Sequence, residues 1–391
     1  MLGIAPTRYL RRIVYPCLAR KSPGVVDAGP SLYPNEEVTV RQRYLAAFFL
    51  CLSSSVCMAQ TQPCPPSSVS VEGGSSANTS CAPASLLAEK YPGDVGIAND
   101  PDVIWHEDFE AASVSAVVSR YHSASNPAGL SFDSTKPAKS RGSKSMRFYS
   151  VSSGASNDQT TDLYRSFGTG YDDIYVRYYV RYQPNVQWHH SGMWIGGYNP
   201  PTNWPNPRAS LRPTGDERFS VGFEPKGGQN AANVQLDFYN YWMNMRSWQS
   251  PPPSGNSGYF GNNVLHDARA TAPGNTWVCV EVHVKMNEPS SAAGGELGVW
   301  FNDTSLQQYT SQAPLGYWVK DKFCPNNTTD RACTDFKPAN PTLVPLDLRW
   351  RTTSALKVNH IWMNNYLSGG PSGAMWMDDV VVAKKRIGCL R

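Results

Sequence analysis

Two histidines stand side by side at His189-His190, directly after Trp188 and ahead of the segment SGMWIGGYNPP. Adjacent strand residues face opposite sides of a sheet, so only one of the two enters a given cleft. His190 shares a face with Trp188 and is the expected one. An imidazole titrates near neutrality and can take a proton from a substrate carbon or hydroxyl. A metal role is the weaker reading. The nearest other histidines in sequence are His122 and His266, and nothing resembles HExxH.

Other polar and aromatic residues recur at every second position. Asp237, Tyr239, Tyr241 and Met243 form one row, Tyr175, Arg177, Tyr179 and Arg181 a second, and Glu281, His283 and Lys285 a third. Flat rings stack on the C–H faces of sugars, and planar charged or amide groups bond to sugar hydroxyls and carboxylates. Trp188, Tyr179, Trp194, Trp242 and His283 are therefore expected to bind substrate. Tyr239 and Tyr241 are candidate proton donors or acceptors. Arg177 and Arg208 are candidates for a sugar carboxylate, with Arg212 a further option. Arg218 more simply pairs with Asp216 or Glu217. Tyr/Arg ladders also occur on solvated sheet faces with no ligand at all. Glu224 with Asp237 or Glu281 would make a glycosidase pair, although the compact E-x-D-x-x-E arrangement of one sandwich hydrolase class is absent.

Acidic residues cluster at two distant places. His106-Glu107-Asp108-Phe109-Glu110 opens the tryptophan-bearing region, and Asp378-Asp379 precedes the apolar run Val380–Ala383. In a sandwich the first and last strands often lie side by side. Glu110, Asp378 and Asp379 could then hold a structural calcium ion through carboxylate oxygens. Capping of turns at a sheet edge is the plainer alternative.

The elements that must position these groups are strands. Ile174, Val176, Tyr178 and Val180 alternate with the Tyr/Arg row, Val280, Val282, Val284 and Met286 with Glu281, His283 and Lys285, and Leu297, Val299 and Phe301 with Gly298, Trp300 and Asn302. That period of two marks strands with one core face. Further strands are expected over 145–151, 218–223, 234–243, 356–363 and 375–383. Only 111–120 could form a helix of any length. Turns rich in Gly, Pro and Asn separate these runs. The predicted fold is all-β: an antiparallel two-sheet sandwich of jelly-roll, concanavalin-like type. Long loops are expected at 199–215, 247–276 and 304–347, where function tends to sit.

Processing signals and cysteines place the chain outside the cytoplasm. Arg41-Gln-Arg43 precedes YLAAFFLCLSSSVCMA, a basic region and a short apolar run ending at the small residue Ala59. The run is too short for an ordinary membrane span, so no stable insertion is expected after cleavage. Residues 1–59 are thus a leader with a signal peptide over about 41–59. Residues 60–100, rich in Pro, Ser, Gly and Ala, are expected to be a linker or loose arm. A single domain follows over 101–391. All 12 tryptophans lie in that domain, from Trp105 to Trp376. Six cysteines survive cleavage, an even number suited to disulfides. Cys64–Cys81 and Cys324–Cys333 are the expected local pairs, leaving Cys279–Cys389. With no CxxC pair, zinc is disfavoured. The net charge of +4 comes entirely from the leader, with its seven Lys/Arg against three Asp/Glu. A neutral mature chain carries no overall electrostatic signature for nucleic acid or anionic membrane.

The C-terminal stretch HIWMNNYLSGGPSGAMWMDDVVVAKKRIG resembles the closing strands of jelly-roll polysaccharide lyases of the alginate and glucuronan lyase-like group. Asn364 or Asn365, Gly369-Gly370, Trp376 and Asp378 or Asp379 follow that group's outline. YDDIYVRYYVRYQPNVQW is similar to an early strand of the same group with its Pro-Asn turn. The Gly-Gly-Lys of those lyases is replaced here by Gly196-Gly197-Tyr198, followed by Asn199-Pro200. The resemblance implies an extracellular, uronate-containing polysaccharide as partner and β-elimination as the reaction. His190 would be the base, Tyr239 or Tyr241 the acid or base partner, and Arg177 or Arg208 the carboxylate neutraliser. A glycoside hydrolase and a non-catalytic glycan-binding protein are the two alternatives.

Overall fold

The computed structural model describes residues 85–151, 160–227, 231–368 and 371–391. The leader, most of the 60–100 segment, Cys64–Cys81 and the Gly369-Gly370 turn lie outside the described residues.

Nineteen strands are present among the described residues, most of them in two antiparallel sheets. The first sheet runs β14 (Thr304–Tyr309), β13 (Glu296–Phe301), β12 (Val278–Lys285), β5 (Asp173–Tyr182), β19 (Gly373–Ala383), β3 (Ser145–Ser150) and β2 (Leu130–Asp133), with β1 (Val103–Glu107) also on β19. The second runs β11 (Thr271–Pro273), β9 (Asn233–Tyr241), β8 (Arg218–Pro225), β6 (His190–Tyr198), β18 (Val358–Tyr366) and β4 (Thr161–Tyr171). Two small ladders decorate the loops, β7 (Ser210–Leu211) with β10 (Ser257–Tyr259), and β15 (Leu315–Val319) with β16 (Lys322–Pro325) and β17 (Val344–Pro345). The all-β sandwich is therefore as expected. So are the side-by-side first and last strands, where Trp105 pairs with Val382. The 304–347 stretch is not a long loop. It supplies β14 through β17 and a short helix, Arg331–Thr334.

Alternation builds the core. Val176, Tyr178 and Val180 of β5 and Val280, Val282 and Val284 of β12 are fully buried. They join one cluster with Met193 and Ile195 of β6, Phe223 of β8, Phe238 of β9 and Ile361 and Met363 of β18. Burying each such side chain stabilises by roughly 1.5–3 kcal/mol. The disulfides Cys279–Cys389 and Cys324–Cys333 both form, with Cα separations of 6.0 and 5.7 Å. The first ties the chain end to β12.

Residues 85–100 correct the expectation of a loose arm. Leu87 and Ile97 are buried against Val381, Ala383 and Ile387 on the outer face of the first sheet. The Asp94 carboxylate is ion-paired with Arg177 on β5. The folded unit thus begins upstream of Pro101. This covering decides which sheet keeps an open polar face. Among the described residues, the first sheet's outer face lies partly under the arm and the C-terminal segment, while the second sheet's keeps a cleft between the loops that cover its ends.

Candidate active site

The open face of the second sheet is set by register. His190 lies opposite Tyr366, Gly192 opposite Asn364 and Trp194 opposite Trp362 across β6 and β18. On the other side Trp194 faces Gly222, which faces Tyr239 in turn. The intervening residues Met193, Ile195, Ile361 and Met363 point into the core. Period-two alternation therefore delivers His190, Trp194, Tyr239, Tyr241, Asn364 and Tyr366 to one cleft of about 230 Å³, with Pro207 and Ala209 of the 199–215 loop at its edge.

Glycine at two positions lets these groups meet. A Cβ on Gly192 would lie 2.3 Å from the Phe223 carbonyl oxygen and 3.0 Å from Glu224 Cβ. Its absence allows β8 to bring Glu224 up to His190. A Cβ on Gly261 would lie 2.3 Å from the Tyr239 ring, so the 247–276 loop can close over that ring only with glycine there.

At the centre, His190 Nδ1 donates to Glu224 Oε1 at 2.7 Å. A carboxylate accepts only, so Nδ1 carries the hydrogen and Nε2 is left as the reactive nitrogen. The His190 side chain is 24% exposed and that of Glu224 3%. Burial pushes the Glu224 pKa up, opposed by the charge and hydrogen bond of His190 and by the Trp194 indole. Burial alone would lower the His190 pKa, but the Glu224 charge and hydrogen bond outweigh it and the net direction is up. The second carboxyl oxygen, Glu224 Oε2, is buried without a hydrogen bond.

Tyrosines crowd this pair. The Tyr239 ring centre is 4.9 Å from that of His190 and 5.8 Å from that of Tyr241. Tyr366 lies parallel to His190 at 6.3 Å. Burial holds the Tyr239 phenol far above its ordinary pKa, and Tyr241 is also raised by burial. Both are therefore protonated at neutral pH and able to donate. Asn364 donates weakly to the His190 carbonyl at 3.4 Å, and its own Oδ1 is buried without a partner. Trp194 and Trp362, ring centres 5.9 Å apart, floor the cleft.

The other sequence-predicted residues are placed elsewhere. Asp237 is beside Glu224 on the neighbouring strand. Its oxygens accept from the backbone amides of Leu265 at 2.9 Å and His266 at 3.1 Å, so it anchors the 262–267 loop. Arg177 is fully buried on the other sheet, bonded to Asp94 and to the Asp379 carbonyl, and is removed from the carboxylate role. Tyr179 and His283 lie on that same outer face. Tyr179 accepts from the Leu390 amide, and His283 stacks on Tyr175 and bonds Asp173 at 2.7 Å. Glu281 accepts from the Ile387 and Gly388 amides. Trp188 precedes β6, so strand parity does not reach it, and it is buried edge-on to Tyr182. Trp242 is buried between Trp318 and Trp350, its Nε1 donating to the Asp347 carbonyl. Arg208 is exposed, between the cleft-edge residues Pro207 and Ala209. Arg218 pairs with Glu217, as the plainer reading had it. The alternation of HIWMNNY carried the signal for Trp362 and Tyr366, which sequence reasoning missed.

The proposed calcium ligands fit in part. A β-bulge between Asp378 and Val381, with Asp379 at φ +45°, reverses the strand's parity, so both aspartates are buried on the outer face. Burial raises the pKa of each; the neighbouring Asp379 raises that of Asp378 further, while Arg177 opposes the rise at Asp379. Asp378 Oδ2 and Asp379 Oδ2 are buried without hydrogen bonds, the state a cation would relieve. Glu110 does not join them. Its oxygens accept from the Ser143 amide and hydroxyl and the Lys144 amide. Among the described residues the three carboxylates do not converge to within 4.8 Å; the potential ligand group at that spacing is His266 with Cys324 and Cys333, whose sulfurs form the disulfide.

No family model matches this chain, and no curated protein matches it. Among solved structures it is similar to an alginate lyase from Aplysia kurodai, with 11% identity over 72% of this chain and 99% of that one and a TM-score of 0.42. An alginate lyase from a Chlorella virus shows 11% identity over 72% and 100%, TM-score 0.43. An endo-β-1,4-glucuronan lyase from Trichoderma reesei shows 10% identity over 72% and 96%, TM-score 0.40.

Proposed function

We propose that the protein is an exported polysaccharide lyase that cleaves a uronate-containing polymer by β-elimination in the cleft of the second sheet. The observation that carries this reading is the His190–Glu224 pair, set against protonated tyrosines in a ring-lined cleft. His190 Nε2 takes the proton from the carbon bearing the uronate carboxylate. Asn364 and Arg208 neutralise that carboxylate as negative charge builds on it. The electron pair of the broken C–H bond becomes the new carbon–carbon double bond, and the bond to the glycosidic oxygen breaks. Tyr239 gives its proton to that oxygen. One fragment ends in an unsaturated uronate and the other in an ordinary sugar.

The hydrolase alternative needs two carboxyls facing each other across the cleft. Asp237 is turned to backbone amides and Glu281 belongs to the other sheet. Glu224 is left without that partner. The disulfides support export, and among the described residues no helix is long and apolar enough to cross a membrane. Calcium at Asp378 and Asp379 is a structural part of the proposal, supported by their unpartnered buried oxygens.

The test is a screen of uronate-containing and neutral polysaccharides, reading ultraviolet absorbance and reducing ends together. Both signals are expected to rise with a polyuronate. Reducing ends without absorbance would assign a hydrolase. His190→Ala is expected to lower the rate by about 10²–10⁴-fold.

A further inference from the structure

Beyond the end of β9 a second pocket, of about 460 Å³, opens among three loops. Arg212 comes from the 199–215 loop, Arg246 from the turn after β9, and Lys320 from the β15–β16 connection. No Asp or Glu lines it. The Arg212 guanidinium lies 4.7 Å from the centre of the Tyr259 ring and bonds the neutral Asn256 Oδ1 at 3.0 Å. Arg246 lies 4.6 Å from the centre of the Trp318 ring. Stacking on a ring holds a guanidinium in place while leaving edge N–H groups free to donate. Among the described residues none of the three basic groups has a carboxylate partner. Partial burial lowers the Arg246 pKa with no anion to offset it.

The pocket adjoins the cleft. Tyr259 pairs with Ser210 in the β7–β10 ladder, and the Ser210 amide lies beside the Tyr241 phenol. One ladder therefore separates two ring-stacked guanidiniums and Lys320 from the reacting groups. We propose that Arg212, Arg246 and Lys320 form a second carboxylate-binding subsite, which takes an acidic unit of the same polyuronate chain whose scissile unit lies at His190. This rests on the reading of the cleft given above and extends it to a selection for chains with acid groups at a distance. The rings hold the two guanidiniums in place, and the three cations distinguish a uronate from a neutral unit.

The test uses the whole chain in a His190→Ala background, so that binding is read without cleavage. Affinity is measured by calorimetry for a graded series of oligouronates and for neutral gluco-oligosaccharides of matching length. A step of about tenfold in affinity is expected at the length that reaches the second pocket. The triple variant Arg212→Gln, Arg246→Gln, Lys320→Gln is expected to lose the step while still binding short oligouronates, and Arg246→Lys to keep part of it. Neutral oligosaccharides are expected to show no step. A step that survives in the triple variant with unchanged melting temperature overturns the subsite and leaves the cleft standing. Failure of every oligouronate to bind the His190→Ala protein, short ones included, overturns both.

Discussion

Glu224 makes His190 a stronger base at the cost of a higher pKa, and the pH dependence follows from that trade. Elimination needs neutral His190, so the rate is expected to rise as pH climbs through a value above the ordinary histidine range near 6.5. Glu224→Gln removes the charge that raises that pKa. The acid limb of the pH–rate profile is then expected to move to lower pH while the plateau falls, and a limb that stays in place would separate it from His190. The aspartates at the bulge give a second expectation with the opposite site of action. Their pKa values are raised in the fold, so stability is full below the ordinary carboxylate range and is lost as pH rises and the fold must accept their charge. Asp378→Asn is expected to raise the melting temperature at alkaline pH in chelator, where the wild-type pair is ionised. Calcium is expected to raise it for the wild type and not for the variant. An equal calcium effect on both would place the ion elsewhere.

At the scale of strands, what matters is how closely β6 and β8 approach. Gly192→Ala forces a methyl group against the Phe223 carbonyl and so pushes apart the strands that carry His190 and Glu224. A drop in kcat of at least about tenfold is expected, with a destabilisation of about 1–3 kcal/mol, measured by kinetics and thermal melting on the same preparation. Unchanged kcat would mean that the pair need not touch. Strand identity was legible in the sequence because apolar residues fall at every second position in β5, β12 and β13. The bulge was not. Parity along β19 reverses between Asp378 and Val381, whereas strict alternation would send two adjacent aspartates to opposite faces. Trp188 misled for a related reason, since it stands two residues before β6 begins and its parity with His190 carries no meaning.

On the scale of the whole molecule, the two sheets present outer faces that read alike in sequence, Tyr175-x-Arg177-x-Tyr179 on one and Asp237-x-Tyr239-x-Tyr241 on the other. What separates them is non-local. Residues 85–100 and the chain end lie over the first, where Arg177 meets Asp94 and Tyr179 meets the Leu390 amide, and among the described residues the second keeps a cleft at His190. No period or motif within either strand encodes that covering. His190, Glu224, Tyr239 and Tyr241 were nonetheless legible, because their residue types suit proton transfer and their strands alternate cleanly. The central claim is that this open face eliminates rather than hydrolyses. Mass spectrometry of the fragments from one defined oligouronate tests it most directly. The two fragment masses are expected to sum to the parent alone, one fragment being unsaturated. A sum equal to the parent plus one water, or no fragments from any oligouronate, would contradict it.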